Sequence, residues 1–306
     1  MPESIDEPAR TWPTGAPEMT DNAAEPSEHS EERPQARRRA RKRPPGGMSP
    51  RDLRYLNKLP KAKGIRIRSR RDGFGAQYMA QMSALAWAIQ NNRYFYFEPF
   101  SHLDHGEDAA TMSQFTGLRP WGEPVKYKRI AHVRFVPEVL SSPNPSTYFT
   151  PETLAVIRDM YHSSPKPASC PHDIAIHIRR GDINQEMRSR WLSMGTYKRL
   201  IKTLQGFFPD HSIGIYSQGD PADFQQLRAL GARLELNQDL RRTFHELATS
   251  PLLIPAPSCL SYAAALLSER QILHLSNPQN RPLDHWIQTR ALGMKARPLL
   301  KMLVAR

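Results

Sequence analysis

From residue 173 onward the hydrophobic period switches back and forth. Five short apolar runs, Asp173–Arg179, Ser212–Ser217, Arg233–Leu236, Leu252–Pro255 and Gln271–Leu275, read as strands. The stretches between them, 195–207, 220–230, 239–250 and 258–268, carry apolar residues at helical spacing. Strand and helix alternating in this way predict right-handed crossovers and a parallel, doubly wound α/β sheet. Nearer the amino terminus, Ile65 and Ile67 alternate with Arg66 and Arg68 as in a strand. Asp72-Gly73-Phe74-Gly75 then marks a tight turn, and Tyr78, Met79, Met82, Leu85, Ala86 and Ile89 recur at helical spacing over Gln77–Asn91. A second strand is expected at Tyr94–Phe97. Residues 100–150, rich in proline with scattered aromatics, give only a loose assignment.

Composition narrows the picture. The chain has 306 residues and a formal charge of +13, unevenly placed. Residues 1–50 hold 8 Lys/Arg against 9 Asp/Glu, so the remainder holds 35 against 21 and is itself basic. Such a body favours anionic partners. The first 50 residues contain nine prolines and few large apolar side chains, and are expected to be disordered. Within them the basic run Arg37–Arg43 reads as a solvated linker edge, and a nucleic-acid partner is not expected. Two cysteines, Cys170 and Cys259, make no disulfide framework and suit a reducing compartment. The amino terminus lacks an apolar export segment. The uncharged stretch Leu247–Ser268 is broken by Pro251, Pro255 and Pro257, so a strand followed by a helix fits it better than a membrane span. A soluble, cytoplasmic protein without a transmembrane segment is expected.

In doubly wound sheets a ligand lies beyond the carboxyl ends of the strands. Here those ends carry Arg179-Arg180-Gly181-Asp182, Ser217-Gln218-Gly219-Asp220, Asn237-Gln238-Asp239 and Pro257-Ser258. Strand alternation puts Ile174, Ile176 and Ile178 on one face and Ala175, His177 and Arg179 on the other. Two adjacent guanidiniums before a glycine turn suit a pyrophosphate, since each is a permanently charged fork of donors. An Arg179–Asp182 pair that merely ties down the turn is the plainer alternative.

The segment His177-Ile178-Arg179-Arg180-Gly181-Asp182 resembles the donor-binding motif of the α1,2-, α1,6- and protein O-fucosyltransferases. Ser258-Cys259-Leu260-Ser261-Tyr262 resembles their serine-rich segment before a helix, and Asp72-Gly73-Phe74-Gly75-Ala76-Gln77 their amino-terminal glycine loop. The resemblance spans about residues 64–276. It implies a GT-B-like fold of two Rossmann-like domains, 51–170 on the acceptor side and 171–280 for the donor. Beyond it, the apolar and basic residues mixed over Trp286–Arg306 read as a carboxyl-terminal helix over 281–306 packing back on the body in preference to touching a membrane surface. The resemblance further implies an inverting fucosyl transfer from GDP-fucose to a glycan or other hydroxyl acceptor, with no bound metal and no cofactor. On that reading His177, Arg179, Arg180, Asp182, Asp239, Ser258, Ser261, Gly73, Gly75 and Gln77 bind the donor, and Arg180 neutralises charge on the leaving diphosphate.

The chain departs from the pattern at three places. Ala76 stands where the family's loop usually has asparagine, Pro251 where an acidic residue commonly precedes the serine segment, and Thr243 where the α1,6 relatives have a carboxylate. These departures keep two alternatives open: a catalytically silent GT-B-fold protein binding a glycan or polyanion, and an enzyme taking another nucleotide sugar. Inverting transfer needs a general base, for which Glu186 is the first choice and Asp72 the second. His102, Asp104, His105, Glu107 and Asp108 match no tetrahedral zinc spacing and read as an exposed loop. His245 reads as a core or helix-surface histidine.

Overall fold

The computed structural model describes residues 59–68, 70–104, 107–181, 191–275 and 280–289. The expected disordered tail, Asp182, Glu186 and the stretch beyond residue 289 lie outside them.

The first sheet has three parallel strands in the order β2-β1-β3: β1 Gly64–Ile67, β2 Tyr94–Tyr96 and β3 Ile130–Val133. Ile65, Ile67, Phe95, Ala131 and Val133 form its buried face. The helix α1, Phe74–Gln90, is rich in Ala, Met and Gln, lacks proline, and is buried along nearly its whole length. A helix buried on nearly all sides belongs inside the molecule, and α1 is the central one. The loosely assigned region resolves into α2, Ala109–Thr116, and β3, and is followed by α3, Pro151–His162. Each helix start is legible in hindsight. Asp108 accepts from Thr111 N at 2.7 Å to cap α2. Thr150, followed by Pro151, caps α3 by accepting from Thr153 N at 3.3 Å.

The second sheet has six parallel strands in the order β6-β5-β4-β7-β8-β9: β4 Ile174–His177, β5 Ile213–Ser217, β6 Arg233–Leu236, β7 Leu252–Ile254, β8 Gln271–Leu275 and β9 Ile287–Thr289. In order along the chain this is 3-2-1-4-5-6, the arrangement of a dinucleotide-binding sheet, with its switch point between β4 and β7. The helix α4, Met194–Phe207, and the helical turns Pro221–Arg228 cover the face made by Ile174, Ile176, Ile178, Ile213 and Ile215. On the opposite face lie α5, Leu240–Thr249, and α6, Cys259–Leu267. One expectation is corrected: Ile287–Thr289 belongs to a sixth strand and not to a helix. Trp286, buried against Tyr262 with ring centroids 5.3 Å apart, seats the short strand, which is too brief to show a period.

The α/β architecture with parallel sheets is therefore as expected, but the two sheets share one core. Gly75 of α1 meets the backbone of α6 so closely that a Cβ there would lie 2.5 Å from Leu260 N. Phe244 of α5 enters a cage of rings from the first half, with centroids 5.3 Å from Phe74, 5.7 Å from Tyr78, 6.0 Å from Phe115 and 5.9 Å from Tyr161. Arg158 of α3 donates to the carbonyls of Leu266, Leu267 and Ser268, satisfying the open end of α6.

Candidate functional site

Three successive strands of the large sheet leave it through residues with positive φ: Gly181 at +88°, Gly219 at +131° and Asn237 at +54°. Such turns favour glycine or asparagine, and they reverse the backbone abruptly at the carboxyl edge. Gly219 N donates to Asn237 Oδ1 at 2.9 Å and Asn237 Nδ2 returns a bond to Gly219 O at 2.9 Å, locking two of these exits together. Ser217 Oγ donates to Ile178 O at 2.7 Å, tying β5 to the arginine segment.

His177 ends β4, buried, directly opposite Tyr216 in the register. Arg179 follows it by two residues and so continues its alternation. Arg180 turns the other way. Its Nη1 donates to Arg179 O and its Nη2 to Leu192 O, both at 2.8 Å, and its Cζ stands 3.6 Å from the centroid of the Trp191 ring. Burial pulls the guanidinium below its ordinary pKa, opposed by Tyr197 and Asp223. Trp191, 46% exposed, thus lids this arginine. No local spacing announced it, because a cation–π pair is made by proximity in space.

Across the switch point, Ser258 caps α6 by accepting from Leu260 N at 3.2 Å. Ser261 Oγ, buried, donates to Ala256 O at 3.3 Å. Both hydroxyls therefore shape the loop between β7 and α6. Gly73 and Gly75 open α1 beside the same helix. Gln77, nearly buried, donates to Asp72 O at 2.9 Å and His102 O at 2.7 Å. Asp72 pairs with Arg70 and accepts from Gly73 N at 3.1 Å. The structure thus brings the glycine turn to the serine segment, with α1 and α6 presenting adjacent amino termini. Asp239 stands apart as the cap of α5, accepting from Arg241 N at 3.0 Å and Arg242 N at 3.1 Å.

A groove of about 510 Å³ opens beside that cap, bordered by Thr111 and Gln114 of α2, Lys166, Arg241 and Arg242. Lys166 Nζ donates to Phe115 O at 2.9 Å and Ser164 O at 3.0 Å and sits 4.2 Å from the Tyr161 ring centroid. Burial lowers its pKa to about 8. Behind the groove, Glu246 accepts from Tyr216 OH at 2.8 Å and from Arg242 Nε at 2.7 Å, which fixes α5 to β5. His245 lies in the core, its Nδ1 3.0 Å from Tyr161 OH, and burial with Lys166 and His162 nearby lowers its pKa to about 4. Lys166 and Glu246 were not singled out from sequence, since partners of each lie on other elements, whereas His245 is the core histidine the sequence suggested. Among the described residues no group of three His, Cys, Asp or Glu comes together as metal ligands, and no helix is long and apolar enough to cross a membrane.

No family model and no curated protein matches the chain. Solved structures that it resembles include the E. coli heptosyltransferase WaaC with ADP-2-deoxy-2-fluoro heptose, at 13% identity and TM-score 0.34 over 53% of each chain. The chain thus spans about half the length of that heptosyltransferase. POFUT1 in complex with GDP-fucose matches at 10% identity and TM-score 0.39, over 76% of this chain and 98% of the other. A FUT1 mutant from Arabidopsis thaliana in complex with GDP matches at 12% identity and TM-score 0.37, over 76% of each. These superpositions are loose, and the chemistry rests on this chain's own residues.

Proposed function

We propose that the protein is a glycosyltransferase that binds a nucleoside diphosphate sugar at the β4–β7 switch point and transfers the sugar to a hydroxyl of a glycan. The observation that carries this reading is the Arg179-Arg180-Gly181 exit of β4 at the switch point of a 3-2-1-4-5-6 parallel sheet, next to β7, the strand that leads into α6. Permanent positive charge and a helix start are what a diphosphate requires. GDP-fucose is the donor that the motif resemblance favours. The transfer inverts the sugar's anomeric centre, and arginine supplies the counter-charge that a metal would otherwise give. Arg179 bridges the phosphates, the backbone N–H groups at the start of α6 add donors, and Arg180, held beneath Trp191, sets the positive potential at the leaving oxygen. Glu186 is the proposed base, with Asp72 as the second choice.

A second reading is a silent module that binds a nucleotide or glycan without turnover. The engagement of Arg180 by two carbonyls and a tryptophan favours it, as do Ala76, Pro251 and Thr243. Calorimetric titration with GDP in EDTA, alongside GDP-fucose hydrolysis and transfer, separates the readings. Metal-free GDP binding with turnover supports the enzyme; binding without turnover supports the module; no binding of GDP or other nucleotides overturns the enzyme and leaves only a module that binds glycan.

A further inference from the structure

The outer face of the three-stranded sheet carries a continuous ladder of rings and one guanidinium. Register places Gly64 beside Tyr94, and Arg66 between Tyr96 and His132. Tyr94 and Tyr96 have centroids 6.5 Å apart, Tyr96 and Tyr127 6.4 Å, and Tyr127 and His132 4.8 Å. The Cζ of Arg66 lies 5.2 Å from the Tyr96 centroid and 5.7 Å from that of Tyr127, and Arg66 Nη1 donates to Tyr127 OH at 2.6 Å. Glu98 holds Arg66 from the other side. Tyr127 is 57% exposed, and Arg66, Tyr94, Tyr96 and His132 are each half-buried.

Parallel sheets usually have both faces covered. On this one the described residues place the single 3-10 turn Tyr127–Arg129, through Tyr127, and the strand side chains are amphipathic rings where a sheet covered by a long helix would show aliphatic ones. Its surroundings are strongly basic. Lys126, Lys128 and Arg129 flank Tyr127 in the chain, and Arg68 and Arg134 follow the ends of β1 and β3, all five exposed. Arg66 and Arg68 act at His132, helping burial hold its imidazole below the usual pKa.

We propose that this ladder binds the sugar chain of the acceptor, and that the chain bears acidic groups. The proposal rests on the transferase reading, to which it adds an acceptor class. Aromatic faces take the C–H faces of pyranoses, tyrosine hydroxyls and guanidinium edges bond to sugar hydroxyls, and the ring of lysines and arginines matches carboxylate or sulfate. A single-stranded nucleic acid fits less well. The ladder's ring pairs stand at 72° to 83°, so they offer no run of parallel faces for base stacking.

Full-length protein is titrated with an oligogalacturonate, a neutral glucan oligosaccharide of equal length, a thymidine oligonucleotide and, separately, GDP. Tyr127→Ala removes an exposed ring and a paired Lys126→Ala/Lys128→Ala change removes flanking charge, neither touching the core. The expected result is oligogalacturonate binding at least ~10-fold tighter than the neutral glucan, weakened ~5-fold or more by each variant, with GDP affinity unchanged within about twofold. Oligogalacturonate binding that is absent or indifferent to both variants, or oligonucleotide binding that is tighter and lost in Tyr127→Ala, overturns the proposal. GDP binding that survives such an outcome leaves the transferase reading standing. Ladder-dependent saccharide binding without nucleotide binding or turnover overturns the transferase reading and, with it, the acceptor role.

Discussion

Replacing Gly75 by alanine tests the junction of the two halves at a single atom. The added Cβ would stand 2.5 Å from Leu260 N and 2.6 Å from Leu260 Cα, about 1 Å inside the ordinary contact distance, and both are backbone atoms that no rotamer change can move. α1 and α6 must therefore separate. Overpacking of this kind costs about 1–3 kcal/mol, against which alanine recovers up to about 1 kcal/mol of helix propensity, less here because the site lies in the first turn. The net expectation is a loss of about 1–2 kcal/mol, or ~2–8 °C in Tm for a chain of this size. Gly206→Ala in α4 is the control: nothing lies within 4 Å of its Cβ position, so the same substitution should leave Tm unchanged or raise it. Thermal unfolding by circular dichroism reads both. On the proposed reading, which sets the diphosphate at the start of α6, Gly75→Ala should also weaken GDP binding severalfold. A Gly75→Ala protein as stable as wild type would refute the close approach of the two helices.

Other perturbations follow from the same contacts. Arg158→Met removes three bonds to the end of α6 and should cost ~2 kcal/mol by urea denaturation, whereas Arg158→Lys should recover only part of it. Phe244→Ala empties a cage of four rings and should cost ~3–5 kcal/mol; a loss under about 1 kcal/mol would mean that the cage is not packed. Burial holds His245 and His274 near pKa 4, below the ~6.5 of an unfolded chain. The unfolded state therefore takes up their protons first, and stability should fall as pH drops from about 6.5 to 4 and stop responding to these groups below that, each contributing up to about 3 kcal/mol. His274→Gln, if it folds, should flatten that slope. Arg180→Lys keeps the charge but loses the fork and the flat contact with Trp191; turnover should fall by ~10²-fold or more while GDP affinity falls far less, and equal losses would make Arg180 a simple anchor.

Much of the large sheet was legible because its strands are apolar runs bounded by polar, glycine-bearing exits, and its helices start at capping residues. β9 was not, since three residues beside a buried tryptophan carry no period. The region holding α2 and β3 was obscured by its prolines, such as Pro137 and Pro145, which start only short helical turns. Of the candidate site, the sequence shows which residues leave the strands but not where they go. Arg180 is directed by Trp191 and by a carbonyl in the segment entering α4, contacts made only after folding. Gly75 reads along the chain as part of a ligand loop, yet its missing side chain also admits α6, which no local pattern could reveal. Asp239 followed by a helix is both a strand-end carboxylate and a cap, and the structure uses it as the cap.

The cage around Phe244 bears on how such a protein could be assembled or rearranged. Rings from α1, α2 and α3 close on a side chain that arrives only with α5, so each half, made alone, would present an aromatic face or an unhoused phenylalanine to water. The halves should then be born together and melt together, with nascent chain sheltered until the second sheet has emerged. Grafting either half onto the complementary half of another protein would succeed only if both sides of the cage travelled with it. The seam is therefore where the fold should tolerate change least, and the sheet edges and outer faces on either side of it where it should tolerate change most.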